Sequence, residues 1–354
     1  MKDKLIVFIF IGYIMLFSLG HIILKDEEIS ASERRKLVKF PEFALNSEYI
    51  TEVDKYLLDH FPLRDRFRSL KANFNYHILQ KLDNNDIYLK DNYIFKSEYP
   101  TNKKSIQYFM DNITKIKNML NKKNNIYMLA IPDKNYYLES DKFLHIDYDY
   151  IYSELEKLGI NNIDIREIMN ITDYYETDTH WKQEKLDKVI KVLSEKMQFN
   201  YQNLEYEKHT FDKFYGVYYG ESAMNRKPEK LTYLTNEFLD KAEVKYLENT
   251  KLNTVYNKSN LESLDAYEVY LDGASSFIEI ENKLSKSKKE LIIFRDSFGS
   301  SITPLLIPYY SKITIIDNRY INSDNFSQYI DFNNQDVLFI YSTLIINNSF
   351  SLKG

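Results

Sequence analysis

Leu291-Ile292-Ile293-Phe294-Arg295-Asp296-Ser297-Phe298-Gly299 is the stretch on which the reading of this 354-residue chain turns. Leu291–Phe294 is a short apolar run of the kind a fully buried strand requires. Arg295-Asp296-Ser297 is a polar turn, and residues 300–310 continue with helical character. A strand that turns directly into a helix can expose a serine hydroxyl beside helix amide groups. The same alternation continues on both sides of this stretch. Ile126–Ile131, Asn162–Ile165, Ile313–Ile316 and Val337–Tyr341 read as strands. Ile106, Phe109, Met110, Ile113, Ile116 and Leu120 share one helical face, as do Leu186, Val189, Ile190, Leu193 and Met197. Ile151–Leu158 reads as a helix stopped by Gly159. Strands separated by helices pair in parallel with right-handed crossovers, so the expected fold is a three-layer α/β domain with a parallel sheet. Ligands of such sheets sit beyond the carboxyl ends of the strands, which directs attention to the residues after Phe294, Ile165, Ile131 and Ile340.

The amino-terminal end is of a different kind. Leu5 to Leu24 contains no Asp, Glu, Lys or Arg. As a helix it would span about 30 Å, the thickness of a bilayer core. Lys2 and Lys4 precede it, and the positive-inside bias places the remainder of the chain outside the cytoplasm. Residues 1–24 are therefore expected to be a membrane anchor, with a cleaved signal segment ending near Ser18-Leu19-Gly20 as the alternative. Residues 25–100 read as a stalk, two helices within 51–82 that meet at Phe61-Pro62, and a hairpin from Ile87 to Phe95. Asp83-Asn84-Asn85-Asp86 lacks the rest of a calcium loop and reads as a turn. Residues 101–354 form the α/β domain, with 200–285 as a Tyr-rich insertion of loops and short strands.

Chemistry concentrates in two segments. Thr177-Asp178-Thr179-His180-Trp181 precedes the helix at 186–197, and Asp296-Ser297-Phe298-Gly299 comes after the strand at 291–294. A serine hydroxyl needs a base within hydrogen-bond reach, and the base needs an orienting acceptor. Asp178 and His180 are two residues apart and can reach one site from a loop. The arrangement is Ser297 as nucleophile, His180 as base and then acid, and Asp178 as orienter. The structural alternatives are that Asp178 or Thr179 caps the next helix, that Trp181 is core, and that Ser297 caps the helix at 300–310. His21 falls in the membrane segment, and His60, His77, His145 and His209 have no acid–nucleophile pattern beside them. Metal binding by Asp178 and His180 would lack a third ligand, and no HExxH is present. No GxxxxGK[ST] or GxGxxG occurs, so neither a nucleotide nor any other cofactor is expected.

Composition narrows the classes further. The formal charge of −5 argues against a nucleic-acid binder. The absence of cysteine removes disulfides, thiolate metal sites and cysteine nucleophiles. Hydrophobic residues at 44% and charged residues at 28% place the chain among folded proteins. The 31 Tyr, beside 22 Phe and one Trp, offer amphipathic ring surface suited to carbohydrate, with a low-GC codon bias as the alternative source of the tyrosines.

The ordered set of motifs resembles the DHHW family of Gram-positive bacteria. That family is SGNH-hydrolase-like and related to the alginate O-acetyltransferase accessory proteins AlgJ and AlgX. The motifs carrying the resemblance are Asp59-His60-Phe61-Pro62-Leu63-Arg64-Asp65, the Ile87–Phe95 hairpin, Ile131-Pro132-Asp133-Lys134, and Asp178-Thr179-His180-Trp181. They continue with Phe214-Tyr215-Gly216, Arg295-Asp296-Ser297-Phe298-Gly299 and Ile316-Asp317-Asn318-Arg319-Tyr320. Thr179 stands where the family motif has His, and Arg295 where many SGNH proteins have Gly. The resemblance implies a flavodoxin-like three-layer fold with Asp-x-His ahead of the serine. It implies transfer of acetyl groups to an extracellular polysaccharide, with a membrane-bound O-acyltransferase as donor; the alternatives are a carbohydrate O-acetylesterase using the same residues and a non-catalytic polysaccharide-binding or assembly protein. The Gly-x-Asn-Asp oxyanion block is missing, so the Ser297 amide and the Tyr341 hydroxyl are the expected oxyanion donors. Arg295, Lys134 and Arg319 are candidate oxyanion or substrate contacts, with a structural ion pair as the equal alternative for Lys134 and Arg319.

Overall fold

Strands that are buried on both faces read as near-continuous apolar runs rather than alternating ones, and Leu291–Phe294 and Val337–Tyr341 are such runs. All seven residues of Asp336–Ser342 are buried. The fold was obtained as a computed structural model that describes residues 2–138 and 142–353. By its internal contacts the chain divides into two compact units, one comprising residues 1–88 and 217–227, the other 89–216 and 228–354.

The larger unit is built on a seven-stranded sheet. Its strands are β1 (Asn125–Ile131), β2 (Asn161–Ile163), β3 (Glu243–Tyr246), β4 (Phe277–Glu281), β5 (Glu290–Arg295), β6 (Lys312–Ile316) and β7 (Asp336–Ser342). Their order across the sheet is β3-β4-β6-β5-β7-β1-β2. Pairings among β6, β5, β7, β1 and β2 are parallel, with Ile293 opposite both Ile315 and Leu338. β3 and β4 add to one edge in antiparallel register. The 200–285 insertion thus extends the sheet, and it also forms a separate hairpin of Glu207–Phe214 with Glu229–Thr235.

The faces are covered by helices α1 (Lys103–Met119), α2 (Tyr148–Glu156), α3 (Asp187–Met197) and α4 (Phe298–Leu306). Asn102 and Asp147 cap α1 and α2 by accepting the amides of Ser105 and Tyr150. Gly159 comes after α2 at φ +59°, where a side chain would be strained. Alternate strand residues go to opposite faces. Leu129, Ile131, Ile293, Leu338 and Ile340 pack with α3 and α4, whereas Met128, Ala130, Phe294, Phe339 and Tyr341 pack with α1 and α2. The result is the three-layer architecture, with five parallel strand ends opening at one edge.

In the smaller unit an apolar helix, Lys2–Ile23, is long and apolar enough to cross a membrane. Helices Ser47–Asp59 and Arg64–Asn73 flank Phe61-Pro62, as the helix-breaking proline demands. Asn85 and Asp86 both take positive φ between the paired residues Asn84 and Ile87, so the acidic tract is a tight hairpin turn.

Leu338 sits at the middle of β7 with no solvent exposure, while Leu284 is over a third exposed. Leu338→Ala is expected to cost about 2–5 kcal/mol, and Leu284→Ala under about 1 kcal/mol, in denaturant unfolding.

Candidate active site

The turn after β5 is pinned by one carboxylate. Asp296 Oδ1 accepts the Phe298 amide at 2.9 Å, and Oδ2 accepts both the amide and the hydroxyl of Ser342 at 2.7 Å each. The first links the turn to α4 and the others link it to the end of β7. Between them Ser297 stands half-buried at the amino end of α4, with φ −63° and ψ −24°. Its side chain makes no cap bond to the helix, which leaves the hydroxyl for another partner. Gly299 is required one step further on. A Cβ there would lie 2.6 Å from the Cβ of Arg295.

That other partner is His180. Its Nε2 lies 2.8 Å from Ser297 Oγ, and its Nδ1 lies 2.6 Å from Asp178 Oδ1. An ionised carboxylate only accepts, so Nδ1 carries the proton and Nε2 offers its lone pair to the serine O–H. Asp178 Oδ1 also accepts the His180 amide at 2.9 Å, which ties the pair into one loop turn. Asp178 and His180 are buried. The imidazole lies flat on the ring of Tyr267, with centroids 3.8 Å apart and planes 7° apart. Burial holds the Tyr267 hydroxyl well above its ordinary pKa, so it stays a donor, to Ser301 Oγ at 2.8 Å. Trp181 is indeed core, and its indole N–H also reaches Ser301 Oγ, at 2.9 Å.

The loop that carries Asp178 is gripped from two sides. The Glu229 carboxylate accepts the amides of Glu176 and Thr177 and the Thr177 hydroxyl at 2.6–2.7 Å. The Lys134 ammonium donates to the carbonyls of Tyr175, Glu176 and Asp178 at 3.1, 3.1 and 2.7 Å. Gly216 passes so close that a Cβ would lie 2.3 Å from the backbone of Thr177 and Asp178, and its amide donates to Thr177 Oγ1.

These placements correct four expectations. Lys134 is fully enclosed and holds the loop from within, so it is no substrate contact. Arg295 is also fully buried; it donates to Ser300 Oγ and Gly273 O and lies 3.6 Å from Asp317. Arg319 is committed to Asp317 through a two-pronged contact at 2.8 and 2.6 Å. The Tyr341 hydroxyl donates to Asn318 Oδ1, and its ring packs on Phe109 of α1. Tyr341 is out of step with Ile340 by one residue, so it faces the opposite side of the sheet from Phe298 and His180. Tyr267, Glu229 and Gln183, which donates to Ser301 O and accepts the Leu234 amide, went unnoticed in the sequence. No motif marks them, because their positions arise from long-range packing. Away from this cluster, His60 bonds Val38 O, His145 bonds Ile146 O and His209 bonds Thr235 Oγ1.

The geometry can be set beside solved structures. The chain shares its fold with a DHHW family protein. That protein, from Eubacterium siraeum DSM 15702, is 20% identical with a TM-score of 0.64, over 76% of this chain and 95% of that one. Bacillus cereus PatB1 is 20% identical with a TM-score of 0.60, over 74% of this chain and 97% of its own. PatB1 with a sulfonyl adduct gives 19% and 0.57, over 73% and 95%. The O-acetyltransferase domain of Pseudomonas putida AlgJ is more distant, at 12% and 0.45 over 74% and 92%. The resemblance drawn from the motifs thus has its counterpart in three dimensions. No family profile matches the sequence, and no curated protein matches it.

Two consequences of the loop's grip can be measured. Burial lowers the Lys134 ammonium from its ordinary 10.5 to about 7, against the opposing pull of Asp178, Glu229 and Asp133. Between those values the unfolded chain holds a proton that the folded chain releases, so this group makes stability rise with pH across that window. Denaturant unfolding at about pH 7.5 and 9.5 should show wild type gaining roughly 1 kcal/mol per pH unit relative to Lys134→Met. Gly216→Ala should lower stability by about 1–3 kcal/mol in thermal melts, because a backbone rather than a flexible side chain must move.

Proposed function

We propose that this protein is a membrane-anchored, extracytoplasmic serine O-acyltransferase that acetylates a cell-surface or secreted polysaccharide. The observation that carries the reading is the continuous chain from Asp178 Oδ1 through His180 to Ser297 Oγ, at 2.6 and 2.8 Å. Ser297 gives its proton to His180 Nε2 as Oγ attacks the acyl carbonyl. Asp178 stabilises the imidazolium, the tetrahedral intermediate collapses, and His180 returns the proton to the departing group. A sugar hydroxyl then loses its proton to His180 and attacks the acyl carbon; as the bond from that carbon to Oγ breaks, His180 returns the proton to Ser297 Oγ. The Ser297 amide, at the amino end of α4, supplies an oxyanion donor. The resemblance to the DHHW family supports acetyl as the acyl group, a polysaccharide as the acceptor and a membrane-bound O-acyltransferase as the donor. PatB1 has been captured with a sulfonyl adduct, which is the chemistry of an activated nucleophile. The apolar Lys2–Ile23 helix supports attachment to the membrane.

The full chain in detergent, treated with an activated acetyl ester or a sulfonyl fluoride, should gain a single adduct by intact mass. Ser297→Ala should gain none and lose about 10³-fold or more of ester turnover. An undiminished adduct on Ser297→Ala would sink the reading. If the adduct forms and adding glycan fragments yields acetylated glycan, the activity is transfer. If only acetate appears, the same triad serves a carbohydrate O-acetylesterase.

A further inference from the structure

The helix Arg64–Asn73 continues as a wider turn over Phe74–Ile78, and its surface is inverted relative to that of a helix in water. Leu63, Phe67, Leu70, Phe74 and Ile78 recur at helical spacing and form one stripe. All of them face outward, with Leu70 65% and Ile78 67% exposed. The opposite side is the one packed on the protein. There Ala72 and Asn75 are buried. Arg64 and Arg68 turn the same way to meet Glu33 at 2.7 and 3.4 Å, and Arg68 donates to Ser32 Oγ and Gly220 O. A soluble helix would carry its charges outward and its apolar stripe inward.

The start of this stripe joins the apolar amino-terminal helix. Phe17 stacks on Phe61 with centroids 5.0 Å apart and meets Phe67 at 5.7 Å, and His21 meets Phe61 at 5.7 Å. Gly20 lies so close to Pro62 that a Cβ would approach Pro62 Cγ to 2.7 Å. Phe17 is seven residues before Leu24, the last residue of the uncharged stretch. At 1.5 Å per residue the contact lies about 10 Å inside the end of that stretch. An amphipathic helix lying in a bilayer interface is buried to about 5–10 Å.

We propose that the Arg64–Ile78 helix lies flat in the outer-leaflet interface of the bilayer that the Lys2–Ile23 helix spans. The occupant of its apolar stripe is lipid, because the stripe is continuous with the spanning helix rather than a separate patch. Arg66 and Lys71 are exposed along its two borders, where their stems can run beside acyl chains and their charges reach the headgroups. The inference rests on the membrane-anchored reading above but not on the catalytic one.

The chain has no cysteine, so single probe sites are clean. Full-length Leu70→Cys and Phe74→Cys, each carrying an environment-sensitive fluorophore, would be reconstituted in phosphatidylcholine–phosphatidylglycerol vesicles. Leu16→Cys serves as the span reference and Glu262→Cys as a second labelled position. Both stripe probes should shift to the blue, lose intensity to lipids with a spin label high on the acyl chain, and resist aqueous iodide. Leu16→Cys should be quenched by a label deep in the chain. Stripe probes open to iodide beside a deeply quenched Leu16→Cys would overturn the proposal and leave the anchor standing. An iodide-accessible Leu16→Cys would remove the anchor and the proposal together. Stripe probes shielded only in native membranes would assign the stripe to a protein partner and overturn it likewise. Adduct formation at Ser297 in the same samples reports the catalytic reading separately.

Discussion

The buried carboxylate of Asp296 is the constraint on which the site depends. A strand end and a helix start leave several amide groups in search of acceptors, and a nucleophile must sit among them with its hydroxyl uncommitted. Asp296 meets both demands by taking the Phe298 amide on one oxygen and the Ser342 amide and hydroxyl on the other. The serine turn is thereby tied to β7, a strand with parallel neighbours on both sides. Ser297 inherits the rigidity of the middle of the sheet, and its hydroxyl is left to face His180.

The second half of the site comes from a loop, and a loop has no ladder to hold it. Its amides go to the Glu229 carboxylate and its carbonyls to the Lys134 ammonium. A half-buried carboxylate and an enclosed amine therefore replace the strand neighbours that the backbone lacks, and the carbonyls gathered around Lys134 are what lets a lysine be enclosed. Tyr267 completes the arrangement by stacking on the imidazole, which restricts the tilt of the base. In this arrangement Lys134 and Glu229 hold Asp178 and His180 in place through the backbone that carries them.

The smaller unit obeys a different solvent logic. In the larger unit apolar faces turn inward to the sheet. Along Arg64–Ile78 the apolar stripe turns outward, while arginines turn inward to Glu33. An outward apolar stripe of this kind marks a surface that meets lipid or another protein.

The amino-acid sequence by itself determined the alternation of strands and helices, because period-2 and period-3.6 patterns and Gly159 are local properties of the chain. It also determined the break at Phe61-Pro62 and the apolar amino-terminal helix. The two segments of the candidate site were legible because each motif is contiguous: Asp178 and His180 are close neighbours on one loop, and Ser297 lies in the turn after a strand. Only the tertiary structure decided what surrounds them. Lys134, Arg295 and Arg319 could have served substrate or structure, and each is held by acceptors far away in sequence or by an acid nearby. Tyr341 looked like an oxyanion donor, yet the two-residue period of β7 turns it to the other face. Glu229, Gln183 and Tyr267 carry no local signal, because their roles arise from contacts across 34 to 118 residues of chain, which only the closure of the fold brings together.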